Sequence, residues 1–151
     1  MAVSLVLGGW AGAIAWSDWA SRRIPNAALV LLLVPAALAL AINGQGLLGQ
    51  GVWSSLGGMA LAFGALLPGY VSGRLGAGDV KFAACLGLLL GLACTVEMLL
   101  AIAIAQGVLS AVMLWRGADR KTRLAAVPLM AGAFVLELAG GPWLRVLQDW
   151  Q

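Results

Sequence analysis

The sequence predicts an all-α, polytopic membrane protein with six transmembrane helices. Three observations lead there. Of the 151 residues, 62% are apolar and 10% are charged, against about 25% charged in an ordinary soluble domain. That leaves too little polar surface to face water, so most of the chain has to face lipid. The apolar runs are continuous, whereas a membrane barrel needs apolar and polar residues to alternate over segments of ~10 residues. The charged residues divide the chain at intervals suited to spans of ~20 residues, and the whole of 1–151 reads as a single domain.

Each helix follows from this punctuation. The stretch up to Ser17 carries no charge and gives the first helix, 2–17. Its Ala13-Ile14-Ala15 has the look of a signal-peptide cleavage site, but no Lys or Arg precedes the apolar run, as such peptides require. From Ile24 to Gly73 the chain is again without charge, too long for one span and right for two. The polar, glycine-rich interval from Asn43-Gly44-Gln45-Gly46 to Gln50-Gly51 divides it, giving helices at 26–43 and 52–72. Between Phe82 and Trp115 the one charge is Glu97. A tight break near Gly91 to Thr95 gives two further helices, 79–92 and 94–115. The last, 124–140, contains Glu137.

Orientation follows from the basic residues. Arg22, Arg23, Arg74, Lys81, Arg116, Arg120, Lys121 and Arg123 fall in alternate connections, on one face, and Arg145 falls opposite. The positive-inside rule puts the basic face in the cytoplasm and both termini outside. The pairs Gly8/Gly12 and Gly87/Gly91, and the cluster Gly57, Gly58 and Gly64, are expected at helix contacts, where small residues let backbones approach.

Several chemistries are excluded. There is no histidine, which removes Ser-His-Asp and Cys-His hydrolases and HExxH zinc proteases. Cys85 and Cys94 form no CxxC pair, so neither a four-cysteine zinc site nor a disulfide framework is indicated. No cofactor is expected. A net charge of +3, scattered along the chain, does not suit nucleic acid.

The remaining chemistry lies with the six acids, since acids in or at a membrane are costly and usually functional. Asp149 falls in the tail, and Asp119 in a loop with four basic residues. Glu97 and Glu137 fall near the outer ends of their helices, where either reaches the external interface or is buried. Asp18 and Asp79 differ. One ends the first helix and the other begins the fourth, so the topology brings both to the cytoplasmic boundary. Two carboxylates at one depth suit an aspartyl dyad, in which one activates water and its protonated partner polarises a carbonyl. Gly76-Ala77-Gly78-Asp79 places two glycines before the second acid, and glycine permits positive φ and close approach of an extended substrate. The helix N-terminus and Lys81 both favour the carboxylate form of Asp79, which would leave the shared proton more often on Asp18, while Arg22, one turn from Asp18, works the other way. For either acid alone, an interfacial cap is the plainer reading.

Asp18 followed by Arg22-Arg23-Ile24-Pro25-Asn26 resembles the first acid and the IPN element of type IV prepilin peptidases. Gly76-Ala77-Gly78-Asp79-Val80-Lys81-Phe82, with Gly87 and Gly91 after it, resembles their GxGD-VK segment. GxGD alone is shared with presenilin-like proteases, but both elements at this separation are far more specific. The resemblance implies an aspartic endopeptidase of the bacterial inner membrane, with Asp18 and Asp79 as the catalytic pair on the cytoplasmic side. Gly76, Gly78, Lys81, Pro25 and Asn26 carry over as motif residues, with Pro25 setting the start of the second helix. The implied partners are a prepilin or pseudopilin helix, the lipid bilayer and the pilus assembly machinery. Long members carry paired CxxC motifs and also methylate the pilin. This chain resembles the short, peptidase-only form of Tad/Flp pilus systems. Two rival readings are a small transporter with Asp18 and Asp79 as coupling sites, and a scaffold of a secretion machine. Transporters place such acids near the bilayer midplane rather than at its edge.

Overall fold

A computed structural model describes residues 2–21, 26–73, 75–116 and 126–140. Their regular elements are helices: α1 (Ala2–Ser21), α2 (Asn26–Asn43), α3 (Val52–Val71), α4 (Ala77–Trp115) and α5 (Ala126–Gly140). The α2–α3 connection is the expected polar interval. It is closed by an isolated bridge between Gln45 and Gly51 and by the Gly46 N–H donating to the Gln50 carbonyl at 2.7 Å. Gly44 and Gly49 take positive φ there, 67° and 83°, where a side chain is strained.

Five elements rather than six arise because the helices expected at 79–92 and 94–115 join as α4. Their division survives at one residue. Gly91 has φ 76° and ψ 177°, outside any helical region. The break folds the chain back. Thr95 Oγ1 donates to the carbonyls of Gly91 at 2.6 Å and Gly87 at 3.4 Å, yet eight residues of straight helix would separate positions 87 and 95 by ~12 Å. The packing against α3 reverses direction as well. Before the break Leu75 covers Gly69 and Gly87 meets Gly58, an antiparallel register. After it Leu92 lies on Gly57, and Leu61 and Ala65 share a groove with Val96, Leu100 and Ala103, a parallel one. The two arms, 77–90 and 92–115, therefore flank the same helix.

That crossing is backbone on backbone. A Cβ on Gly58 would run into the carbonyl oxygen of Gly87, and one on Gly87 into that of Gly58. At Gly91 a Cβ would lie 2.7 Å from Ser54 Oγ, which accepts the Leu92 N–H at 3.1 Å. Gly8 also faces a neighbouring helix, through Val135 and Leu138 of α5, whereas the expectation for Gly12 and Gly64 needs correction: a Cβ at either would meet nothing within 4 Å.

The core gathers Leu7, Ala11 and Ile14 of α1, Leu29, Leu32 and Ala36 of α2, Phe82, Leu86 and Leu89 of α4, and Met130 and Phe134 of α5. Each set recurs at three- or four-residue spacing, one face of a helix. The opposite faces are apolar too: Val30, Leu31, Val34, Leu38 and Ile42 of α2 are exposed. Apolar surface all round a helix suits lipid rather than water. Three helices, Asn26–Asn43, Val52–Val71 and Ala77–Met113, are long and apolar enough to cross a membrane, and Val127–Gly140 is a shorter apolar one. The chain is accordingly a membrane protein. Exposed Trp16, Trp53, Tyr70 and Trp115 stand near helix ends, where amphipathic rings sit at the membrane–water boundary.

Other helix ends shift modestly. α1 continues past 17 through Asp18 to Ser21, α3 ends at Val71, and α4 starts at Ala77. Gly58→Leu and Gly87→Leu should each disrupt the α3–α4 crossing, because overpacking costs about 1–3 kcal/mol and backbone has little room to yield. Gly64→Leu should be tolerated. Thermal melting in detergent micelles distinguishes them, and equal losses at all three positions would contradict this crossing.

Candidate active site

The α3–α4 turn is built to a local plan. Ser72 donates its N–H to the Pro68 carbonyl at 3.0 Å, and Gly73 to that of Tyr70 at 2.9 Å. Gly73 has φ 69°, the left-handed residue that commonly ends a helix. Leu75 then donates its N–H to the Gly69 carbonyl at 3.1 Å. Its side chain lies where a Gly69 Cβ would be, with Cδ1 2.6 Å from that point. Gly69 and Gly73 thus let the chain turn tightly into α4.

Asp79 lies in the first turn of α4 and is half-buried. Its Oδ2 accepts the backbone N–H of Gly76 at 3.0 Å, while the Asp79 N–H returns to the Gly76 carbonyl at 3.2 Å. This is the reciprocal half of a capping box, the acid three positions inside the helix reaching back to the cap. Gly76 has no side chain to supply the other half. The carboxylate is thereby fixed at the positive end of the helix dipole, one oxygen engaged by an amide. The donor is this amide rather than Lys81, whose side chain is exposed.

Neither motif glycine uses the positive φ that glycine permits. Among the described residues the positive-φ glycines are Gly44, Gly49, Gly73 and Gly91, while Gly78 lies within the helical first turn of α4. A Cβ on Gly76 would lie in ordinary contact with Asp79 Oδ2, at 3.5 Å. The physical contribution of Gly76 is therefore a bare, exposed backbone beside the carboxylate. The strained conformation sits earlier, at Gly73.

Asp18 occupies the last turn of α1, half-buried and engaged with a partner. Asn26 is the first residue of α2 and is exposed. Pro25 lies outside the described residues, as do Arg22, Arg23 and Ile24 of the same element, Arg74, the 117–125 connection with Asp119, and Arg145 and Asp149 of the tail. Helices α1 and α4 meet through Trp10 and Phe82, whose ring centroids are 5.7 Å apart. The Trp10 indole N–H donates to the Ala28 carbonyl of α2 at 3.0 Å, fixing three helices at one point. Asp18 follows Trp10 by eight positions, and Asp79 precedes Phe82 by three. At ~1.5 Å per residue Asp18 stands roughly 12 Å and Asp79 roughly 4.5 Å from that contact along their helices.

Glu97 and Glu137 belong to the other end of the bundle. They are 6% and 8% exposed, so of the two positions open to them in the sequence the structure shows the buried one. Nothing in the sequence points them inward, because their helices are apolar on every face.

The sequence matches the type IV leader peptidase family over residues 5–114, which takes in most of α1, all of α2 and α3, nearly all of α4, and both Asp18 and Asp79. No curated protein and no solved structure matches it. With an apolar helical bundle, a GxGD turn leading into α4 and a second acid closing α1, the chain belongs to the type IV leader peptidase family.

Proposed function

We propose that this protein is an aspartic endopeptidase of the bacterial inner membrane that removes the leader from type IV prepilins or pseudopilins, of the Flp type, at the cytoplasmic face. The observation that carries this reading is the placement of Asp79 and Asp18. One is fixed in the first turn of α4, the other lies in the last turn of α1, and the two helices touch through Trp10 and Phe82. Family membership supplies leader cleavage. The two carboxyls supply a way to do it without a nucleophilic side chain.

In the proposed reaction the pair shares one proton, since neighbouring carboxylates do not both ionise, and it titrates as a unit. The ionised member takes a proton from water as the water oxygen bonds to the scissile carbonyl carbon. The protonated member donates to the carbonyl oxygen, giving a neutral diol. Collapse of the diol breaks the C–N bond, and the leaving amine takes up a proton. One water is consumed, and two peptides result. The Gly76 amide engages Asp79 Oδ2 and holds that carboxyl in place.

The reversal at Gly91 supports six crossings, with the arms of α4 as separate spans. A straight helix the length of α4, Ala77–Trp115, would be nearly twice the ~30 Å hydrocarbon thickness. Basic residues concentrated in alternate connections place the end bearing both acids in the cytoplasm. A prepilin carries its basic leader on that side by the same rule, so its scissile bond lies at the depth of the pair, where water is available.

Asp18→Asn and Asp79→Asn should each lower leader cleavage by about 10²–10⁴-fold, the usual contribution of acid–base catalysis, with expression unchanged. Asn still offers an oxygen to the Gly76 N–H, so Asp79→Asn should melt like the parent protein. Asp79→Ala, which loses the cap as well, should be less stable by about 0.5–2 kcal/mol. Cleavage assays with a co-reconstituted prepilin, alongside melting curves, check both. Full cleavage by Asp79→Asn would leave only the capping role.

Sidedness has its own test. With Cys85 and Cys94 changed to Ala, a cysteine at Ser72 should react with an impermeant thiol reagent only from the cytoplasm, and one at Gln45 only from outside. Labelling of position 72 in intact cells would invert the topology and remove the leader from reach. Chelators should leave cleavage intact, and activity lost in chelator and restored by zinc would overturn the two-carboxyl mechanism.

A further inference from the structure

We propose that the apolar helix of the prepilin docks in the lipid-facing groove between α3 and the second arm of α4, where Gln106 and the Gly64 carbonyl accept the free N–H groups of its first turn. The inference rests on the proteolytic reading above and adds the surface that receives the substrate. Leu61 and Ala65 of α3 form one wall of the groove, and Leu100 and Ala103 of α4 the other. Ala65, Leu100 and Ala103 are exposed, so no described helix lies over them. The small Ala65 and Ala103 on facing walls leave room for a helix backbone to come close. The one polar side chain of the lining is the half-buried Gln106.

The groove offers two acceptors. Pro68 lies inside α3 and has no N–H, so the Gly64 carbonyl, four residues back, loses its helical donor. By helical spacing Gly64 shares the face of Leu61 and Ala65, and a Cβ there would meet nothing within 4 Å. From the other wall Gln106 presents a side-chain carbonyl. Lipid tails donate to neither. The complementary occupant is a helix that begins at this depth, because the first four N–H groups of a helix have no partner within it. A leader peptidase acts on such a helix, since it cuts where the basic leader gives way to the apolar segment.

The depth of the groove agrees with that of the acid. α3 and the first arm of α4 run antiparallel, with Gly58 against Gly87 and Gly69 against Leu75. Gly64 falls between the two α3 positions, and Asp79 between the two α4 positions. A helix whose first turn lies at Gly64 therefore starts at the level of the Asp79 carboxyl, with its apolar length running along α3 toward the break at Gly91.

Photo-crosslinking of the full chain with a co-reconstituted prepilin in lipid nanodiscs tests the docking. In the Asp18→Asn/Asp79→Asn background, a photoreactive residue at position 103 should capture the prepilin, and one at position 30, on the exposed face of α2, should not. Capture there needs no cleavage. Adducts only with lipid, or with a second copy of this chain, would overturn the docking. Kinetics supply a second arm, comparing the prepilin with a peptide that holds the leader and the scissile junction but no apolar helix. The ratio of kcat/KM for prepilin over peptide should fall about tenfold in Ala103→Trp, through KM. Pro68→Ala returns a donor to the Gly64 carbonyl and improves the helix. It should therefore raise Tm and yet raise KM for the prepilin about two- to tenfold, the worth of one hydrogen bond. Gln106→Leu should raise that KM by a similar factor. Parent-like values in all three variants would overturn the docking alone, whereas a parent chain that cleaves neither substrate would overturn the proteolytic reading and the docking with it.

Discussion

The close approach of α3 to α4 at Gly58 and Gly87 is the contact on which the rest of the bundle depends. In lipid there is little hydrophobic drive to bring helices together, so association rests on close packing and on polar contacts between them. Two facing glycines allow backbone to touch backbone. One turn later Gly91 folds the chain back, and the same helix α3 serves both arms of α4. Reversal within a membrane exposes amides and carbonyls that water cannot satisfy. Ser54 accepts the freed Leu92 N–H, and Thr95 donates to the carbonyls of Gly91 and Gly87. These short polar side chains are buried or close to the break because the break needs them.

From that crossing the site at the other end of α3 follows. The α3 terminus, the Gly73 turn and the first turn of α4 form one hydrogen-bonded unit, so fixing α3 against α4 also fixes Asp79. Its carboxylate completes the helix cap through the Gly76 amide, and in the proposed reaction that same bond would orient the group. Asp18 is tied to the bundle by a separate route, through α1, the Trp10–Phe82 contact and the packing of α5.

The acids show how depth divides the labour of one residue class. Asp18 and Asp79 are half-buried, which suits the proposed reaction, since it consumes water. Glu97 and Glu137 are enclosed between helices, where a charge is costly and a neutral acid is not. Burial, rather than residue type, separates the two pairs.

Much of this is legible in the sequence because its signals are local. Charges and glycines mark where an apolar run must stop, so the limits of α2 at 26–43 and the break in α4 near Gly91 follow from residue order alone. Counting crossings assigns the two acids to one end. Other features depend on how helices are rotated. When a helix is apolar all round, periodicity does not say which face turns inward. Hence residue spacing groups Gly64 with Gly58, although only Gly58 meets backbone, and leaves Glu97 and Glu137 between interface and interior. The motif also suggests special glycine geometry at Gly76 and Gly78, whereas the left-handed residue is Gly73, because the turn is set by how α3 ends. Punctuation along the chain determines the elements and their order. Rotation, reversal and contact are decided by tertiary packing, where distant backbones compete for the same space.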